Sequence, residues 1–291
     1  MLESVMLPDW MQERLVSDEA FADAYHETVP HRRALLKSTI ARLHALLGER
    51  RVSNRSTASA LETGMRSIVW ELRLDTLVVT LPPGFSSPSR LLAAIVPAQL
   101  AGVREILVVC LRPDAEPDAP AAESAISPAV LAALELAGVE TCLDLDMQEF
   151  RNLPAILEEA GQWGAFITLE TGCTFIADFL TINADALEVH CWFDDPDTFS
   201  LDDLRWLFGD DAALYCWGNP PASLPDGVHR GPDDFDAFQE VDKFLALAPE
   251  ERIKEISTSA HLACSKEALG LWLWPGLTPD AFFAARRIVI G

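Results

Sequence analysis

The sequence predicts an α/β fold: a mainly parallel, Rossmann-like sheet with helices on both faces, plus helical N- and C-terminal arms. Three observations carry this. Leu77-Val78-Val79 and Ile106-Leu107-Val108-Val109 are apolar runs without polar alternation, as expected of strands buried on both faces. Between them lies a segment with apolar residues at helical spacing, opened by serines and a proline and closed by Gly102. The joints are short, and strand–helix–strand with short joints is the unit that crosses over right-handed in nearly every sheet.

In chain order, residues 1–60 read as a helical arm followed by a linker. Asp18 can cap a helix over Glu19–Tyr25, and Leu35, Leu36, Ile40, Leu43, Leu46 and Leu47 form a stripe ending at Gly48. His31-Arg32-Arg33, Lys37 and Arg42 are a basic concentration on that arm, either a solvated helix face or a docking surface for an acidic one. Residues 49–60, ERRVSNRSTASA, are polar and read as linker or loop. Residues 61–248 read as the Rossmann-like domain. Pro82-Pro83-Gly84 ends the first strand, Ser86, Ser87 and Ser89 offer helix caps, and Pro88 suits a first turn. A second helix runs from Ser127-Pro128 to Gly138. Between them, residues 112–125 are rich in Pro, Ala, Asp and Glu and read as a surface loop at a strand's carboxyl end. Strands follow at Thr141–Leu145, Phe166–Leu169, Leu187–Phe193 and Ala213–Trp217, with helices at Phe150–Ala160, Thr174–Leu180 and Leu201–Phe208, the last capped by Ser200. A helix is expected through Phe244 and Leu247. Residues 249–291 read as a helical C-terminal extension. Within it, Trp272 and Trp274 fit either a core segment or an oligomer interface.

The chain has 291 residues and a net charge of −23. An acidic protein lacks the basic footprint that nucleic acid and anionic membranes require, so neither is an expected partner. No run approaches the length of a membrane-spanning helix. The first ten residues carry Glu3 and Asp9 and no basic start, so no secretory leader is read and the cytoplasm is the expected compartment. Six cysteines are scattered without a CxxC pair, and most lie in apolar runs, where a free thiol behaves as a small hydrophobe.

The segment PSRLLAAIVPAQLAGVREILVV, residues 88–109, resembles the first nucleotide-fold segment of histidinol dehydrogenases. SPAVLAALELAGVE, residues 127–140, resembles that family's next helix. The likeness spans about residues 76–180. It implies a dehydrogenase scaffold, an NAD-binding oxidoreductase acting on an alcohol, and a homodimer. The sequence also departs from the family. The family's tyrosine-x-proline-glycine-glycine loop stands here as Thr80-Leu81-Pro82-Pro83-Gly84. Its glycine-glycine-alanine-glutamine turn falls near Asp146-Met147-Gln148-Glu149, and its glycine-proline-glycine-asparagine loop near Glu170-Thr171-Gly172-Cys173. No match is found for its zinc ligands or its glutamate-histidine pair. A non-catalytic binding or assembly module that keeps the fold is therefore the alternative function.

The candidate ligand-binding residues are Gly84, Ser86, Ser87, Gln148, Gly172 and Cys173. The loop Pro82–Ser87 is either a tight strand–helix turn or a phosphate cradle built from serines and helix-start amides. Cys173 follows a buried-type strand and opens an expected helix, where backbone N–H groups bind anions and lower a thiol's pKa. It is either a semi-buried residue after a turn glycine, or a nucleophile or redox-sensitive thiol, and it is the one catalytic candidate. A nucleotide or other small molecule is the implied ligand, with NAD as the implied cofactor. No metal site is expected: His190 and Cys191 point to opposite faces of one strand, and no second cluster has ligand spacing.

Overall fold

The computed structural model describes residues 7–48, 54–61, 64–113, 126–169, 188–256 and 259–291. Its strands form three sheets. The first contains β3 (Thr76–Leu81), β4 (Glu105–Leu111), β5 (Cys142–Leu145) and β6 (Gly164–Thr168) in the order β5-β4-β3-β6, all parallel. The second contains β7 (Glu188–Phe193), β8 (Ala213–Gly218), β9 (Val228–Arg230), β10 (Lys243–Ala248) and β11 (Ala260–Ser265) in the order β11-β10-β7-β8-β9, also all parallel. The third is antiparallel, β1 (Arg55–Ala60), β2 (Arg66–Arg73) and β12 (Phe283–Ile290), with β2 in the middle.

The expected parallel strands are thus present but divided between two sheets. Both follow one plan: the first strand in the chain lies inside the sheet, the next two extend to one side, and the later ones reverse to the other. In such sheets the reversal point, here between β3 and β6 and again between β7 and β10, opens a crevice at the carboxyl ends.

Nine helices are described: α1 (Asp9–Gln12), α2 (Asp18–Glu27), α3 (Pro30–Leu47), α4 (Pro88–Ala101), α5 (Pro128–Ala137), α6 (Met147–Glu159), α7 (Leu201–Phe208), α8 (Phe235–Glu240) and α9 (Glu250–Ile253). Helix α4 is the centre of the molecule. Of its fourteen residues only Gln99 escapes full burial. An α-helix apolar on every side belongs inside a protein, and α4 lies in the one core that joins both parallel sheets. Leu77, Val79 and Leu81 of β3 share that core with Val189 and Cys191 of β7 and Leu245 and Leu247 of β10. Ala93, Ala94 and Ala98 keep the helix slim enough for this position. Gly102, in the left-handed conformation at φ 74°, closes the helix.

The outer faces are closed separately. Val78, Leu107, Val109 and Leu143 pack under Phe150, Leu153 and Leu157 of α6 and Met11 of α1. Trp192, Trp217 and Ala246 pack under Phe238 of α8 and Ile256. Helices therefore flank the parallel sheets as expected. The basic segment of α3 docks within the chain: Arg32 and His31 lie 3.1 and 3.0 Å from Asp203 at the start of α7, and Arg32 also pairs with Asp202. Ser200 caps that helix as expected.

Several expectations are corrected. Ser17, not Asp18, caps α2 through the amide of Ala20. Residues 55–60, expected as linker, form edge strand β1. The helix expected through Phe244 and Leu247 is strand β10, and α8 ends before it. In residues 249–291 the helical part is limited to α9 and two 3-10 turns, Lys266–Ala268 and Pro279–Phe282; β11 and β12 supply the rest of the regular structure. Trp272 and Trp274 are core residues, 0% and 4% exposed, with Trp272 stacked on Phe244 at 4.5 Å. The expected helix at 174–180 and the loop at 114–125 lie outside the described residues. Among those described, no helix is long and apolar enough to cross a membrane.

Candidate functional site at the β3–α4 junction

The carboxyl end of β3 turns through Pro82–Ser87 into α4. The turn closes with the Phe85 amide donating to the Pro82 carbonyl at 3.1 Å, and Gly84 takes φ 77°, a value that favours glycine. Segment by segment this is the strand–turn–helix start that the sequence implies. Strand β6 lies directly beside β3, and the Leu169 amide donates to the Thr80 carbonyl at 2.9 Å. Strand β6 therefore ends at the same rim of the sheet as Gly84; Gly172 and Cys173 follow it in the chain. Both of those residues lie outside the described set.

The two loop serines are engaged by the protein itself. Ser87 is fully buried; its hydroxyl accepts from the Arg90 amide at 3.3 Å and donates to the Leu207 carbonyl at 2.9 Å. The Ser86 hydroxyl accepts from the Asp210 amide at 3.3 Å. The end of α7 fits closely here. A side chain at Gly209, where φ is 88°, would meet Asp211 Oδ1 at 2.8 Å and Ser87 Cβ at 3.1 Å.

Arg90 is the residue that the sequence did not flag. Its side chain has no exposed surface, and one terminal nitrogen lies 2.7 and 2.6 Å from the two oxygens of Asp211. The other terminal nitrogen donates to the Leu169 carbonyl at 3.4 Å. The guanidinium lies 5.0 Å from the Phe85 ring centre and 5.9 Å from that of Trp274, whose indole N–H donates to the Arg90 carbonyl at 3.0 Å. Burial pushes the Arg90 pKa down, and the Asp211 carboxylate opposes that shift. Arg90 Nε and Thr80 Oγ1 are buried with no hydrogen-bond partner among the described residues.

Gln148 sits apart from this junction. It is exposed in the first turn of α6, and its carbonyl accepts from the Asn152 amide group at 3.3 Å. The start of α6 already holds a carboxylate. Asp146 and Glu149 cap each other's amides at 2.7 and 3.0 Å, and Glu149 pairs with Arg14 and Arg112, both at 2.7 Å. The Glu149 hydrogen bond and charge raise the Arg14 pKa. Beside it, a cleft of about 290 Å³ is lined by Arg14, Leu15, Val16, Ile126, Leu131 and Asp144.

His190 and Cys191 do face opposite sides of β7. Cys191 lies in the central core, while His190 lies in a ring stack with Tyr215 at 4.6 Å and Trp217 at 5.8 Å. The Trp217 indole donates to His190 Nδ1 at 3.1 Å, and Nε2 lies 3.3 Å from Glu188. The proton of the neutral ring is therefore assigned to Nε2. The five described cysteines are free and buried; burial pushes the thiol of Cys216 up to about 11 and that of Cys264 to about 12. Among the described residues, no three His, Cys, Asp or Glu side chains come together as a metal site.

The histidinol dehydrogenase family profile matches residues 5–145. This part of the chain is histidinol dehydrogenase-like. The match reaches further towards the N-terminus than the motifs in the sequence did, and it ends before Gln148, Gly172 and Cys173. A histidinol dehydrogenase from Elizabethkingia anophelis superposes with a TM-score of 0.50 at 14% identity, covering 94% of this chain and 76% of that one. An NAD-dependent benzaldehyde dehydrogenase from Corynebacterium glutamicum aligns at 12% identity over 94% of this chain and 88% of that one, with a TM-score of 0.40. A succinate-semialdehyde dehydrogenase from Burkholderia pseudomallei aligns at 9% identity over 94% and 88%, with a TM-score of 0.38. At 14% identity the likeness to the Elizabethkingia protein is one of fold. No curated protein matches the sequence.

Proposed function

We propose that this histidinol dehydrogenase-like chain keeps the dehydrogenase fold as a non-catalytic binding or assembly scaffold. The observation that carries this is the internal engagement of the loop serines. A phosphate cradle needs hydroxyls turned towards the ligand, whereas Ser87 is fully buried against the Leu207 carbonyl and Ser86 holds the Asp210 amide. The buried cation at the same junction is paired with Asp211. Hydroxyls and charge thus fasten the two parallel sheets to each other.

Calorimetry and thermal unfolding with NAD test this reading. No heat and no shift in melting temperature are expected at millimolar NAD. A ligand present at a hundred times its dissociation constant would stabilise the fold by about 2.7 kcal/mol. Saturable NAD binding overturns the proposal.

One observation favours a second reading, an NAD-dependent oxidoreductase acting on an alcohol. The reversal of strand order between β3 and β6 is where this fold class binds nucleotides, and Arg90 Nε and Thr80 Oγ1 lie near it without partners among the described residues. On this reading Gly84, Gly172 and Cys173 border the ligand, and Cys173→Ser abolishes NADH formation from an alcohol substrate.

A further inference from the structure

Beyond α1 the chain crosses the outer edge of the first parallel sheet as a strap. Leu15 bridges Leu143 in the antiparallel sense. The Asp144 amide donates to the Arg14 carbonyl at 2.9 Å, and the Val16 amide donates to the Cys142 carbonyl at 2.9 Å. This strap fixes one wall of the cleft of about 290 Å³. The end of β5 supplies Asp144, and α2 and α5 supply Ala20 and Leu131. At about 30 Å³ per water the space equals roughly ten waters, room for a ligand of about ten heavy atoms. Its walls are held by backbone hydrogen bonds and by the packing of α2 on α5. The cleft is therefore formed in advance, as small-molecule sites usually are.

The cleft has two chemically distinct parts. Val16, Ala20, Ile126 and Leu131 form an apolar floor continuous with the central core. Glu13, Arg14 and Asp144 form a polar rim. Arg14 is already engaged: its Nε and one terminal nitrogen lie 2.8 and 2.7 Å from Glu149. Arg112 lies 2.7 Å from Glu149 and 3.5 Å from Asp144. Two guanidinium groups thus stand among the carboxylates of Glu13, Asp144, Asp146 and Glu149, so the surroundings are acidic on balance. Asp144 has capacity to spare. Its side chain is 23% exposed, and its Oδ1 accepts no hydrogen bond among the described residues. A carboxylate short of donors beside an apolar floor favours a ligand with N–H groups and positive charge at one end and hydrocarbon at the other.

We propose that the cleft between the Glu13–Val16 strap, α2 and α5 binds a small primary amine with an apolar tail, the ammonium held by Asp144 and Glu13 and the tail by the apolar floor. The cleft lies at β5, which β4 separates from β3 and its reversal point. NAD binding would overturn the scaffold reading and leave this cleft untouched.

Calorimetry on the full chain at about 0.15 M salt tests the inference, with hexylamine and hexanoate as probes of equal tail length and opposite charge. Saturable one-to-one binding of hexylamine is expected, and hexanoate should bind at least about tenfold more weakly. Asp144→Asn should weaken hexylamine binding by about tenfold or more. Ala20→Leu keeps every charge but fills the floor, and it should weaken binding by a similar factor. Asp197→Asn, at an exposed acid that follows β7 in the other parallel sheet, should leave binding unchanged. If neither cleft variant folds, the comparison of the two probes on the unaltered chain decides. No saturable heat at millimolar hexylamine, hexanoate bound as tightly as hexylamine, undiminished binding by either folded cleft variant, or a loss in Asp197→Asn as large as in Asp144→Asn would each overturn the proposal.

Discussion

Arg90 and Asp211 join the two parallel sheets through one guanidinium nitrogen held 2.7 and 2.6 Å from both carboxylate oxygens. Arg90 is wholly buried and the Asp211 side chain is 44% exposed. Removing the carboxylate leaves a buried charge without its counter-ion. Asp211→Ala should cost roughly 2–3 kcal/mol, below the full cost of breaking a buried pair because Asp211 is partly solvated. Urea unfolding measures this. Arg90→Met combined with Asp211→Ala should be less destabilised than the sum of the single changes, since the double variant leaves no stranded charge.

Ser87→Ala removes a helix cap and a buried hydrogen bond to the Leu207 carbonyl. A loss of about 1–2 kcal/mol is expected in the same assay. Gly209→Ala acts on the other side of that contact. It combines an unfavourable φ with a 2.8 Å approach to Asp211 Oδ1, so it should lower the melting temperature and not raise it.

His190 supplies a pH dependence. Burial lowers its pKa from the ordinary 6.5, outweighing the opposite pull of Glu188. Protonation would also place a second N–H on Nδ1, facing the Trp217 indole donor. The unfolded chain therefore binds this proton at a higher pH than the folded chain does. The His190 contribution to stability is complete above pH 6.5, declines as the pH falls below it, and levels off once the folded ring is itself protonated. Unfolding free energies across pH 7 to 5 should show this slope, and His190→Gln should flatten it.

Ala94 has no exposed surface in the helix that both parallel sheets share. Ala94→Leu adds volume where neither side can retreat. A cost of about 1–3 kcal/mol is expected from denaturant unfolding, against little effect for the same change on an exposed helix face.

The strand–helix alternation up to residue 169 was legible because buried parallel strands and capped helices leave strong local marks. Gly102 and Gly138 close their helices in the left-handed conformation, as their positions imply. The burial of α4 on every side was not legible, because its second wall is a sheet more than eighty residues further along the chain. Lys243–Ala248 resembles a helix, since Phe244 and Leu247 are three apart. Its burial between β7 and β11 makes it a strand, and that neighbourhood is tertiary. β1 has no apolar periodicity to read, and its strand state comes from its ladder with β2. At the candidate site, Ser86 and Ser87 stood out as polar residues at a helix start. Their partners, Leu207 and Asp210, lie 120 and 124 residues away, so the sequence could name the hydroxyls without showing what occupies them.

The ladder between β2 and β12 pairs Arg73 with Phe283, and both parallel sheets lie between them in the chain. While the ribosome is still extending the chain through both parallel sheets, Ile68, Trp70 and Leu72 wait without the strand that completes their layer. Synthesis must therefore pass through both parallel sheets before that layer closes, and until then its apolar ribbon is open to aggregation.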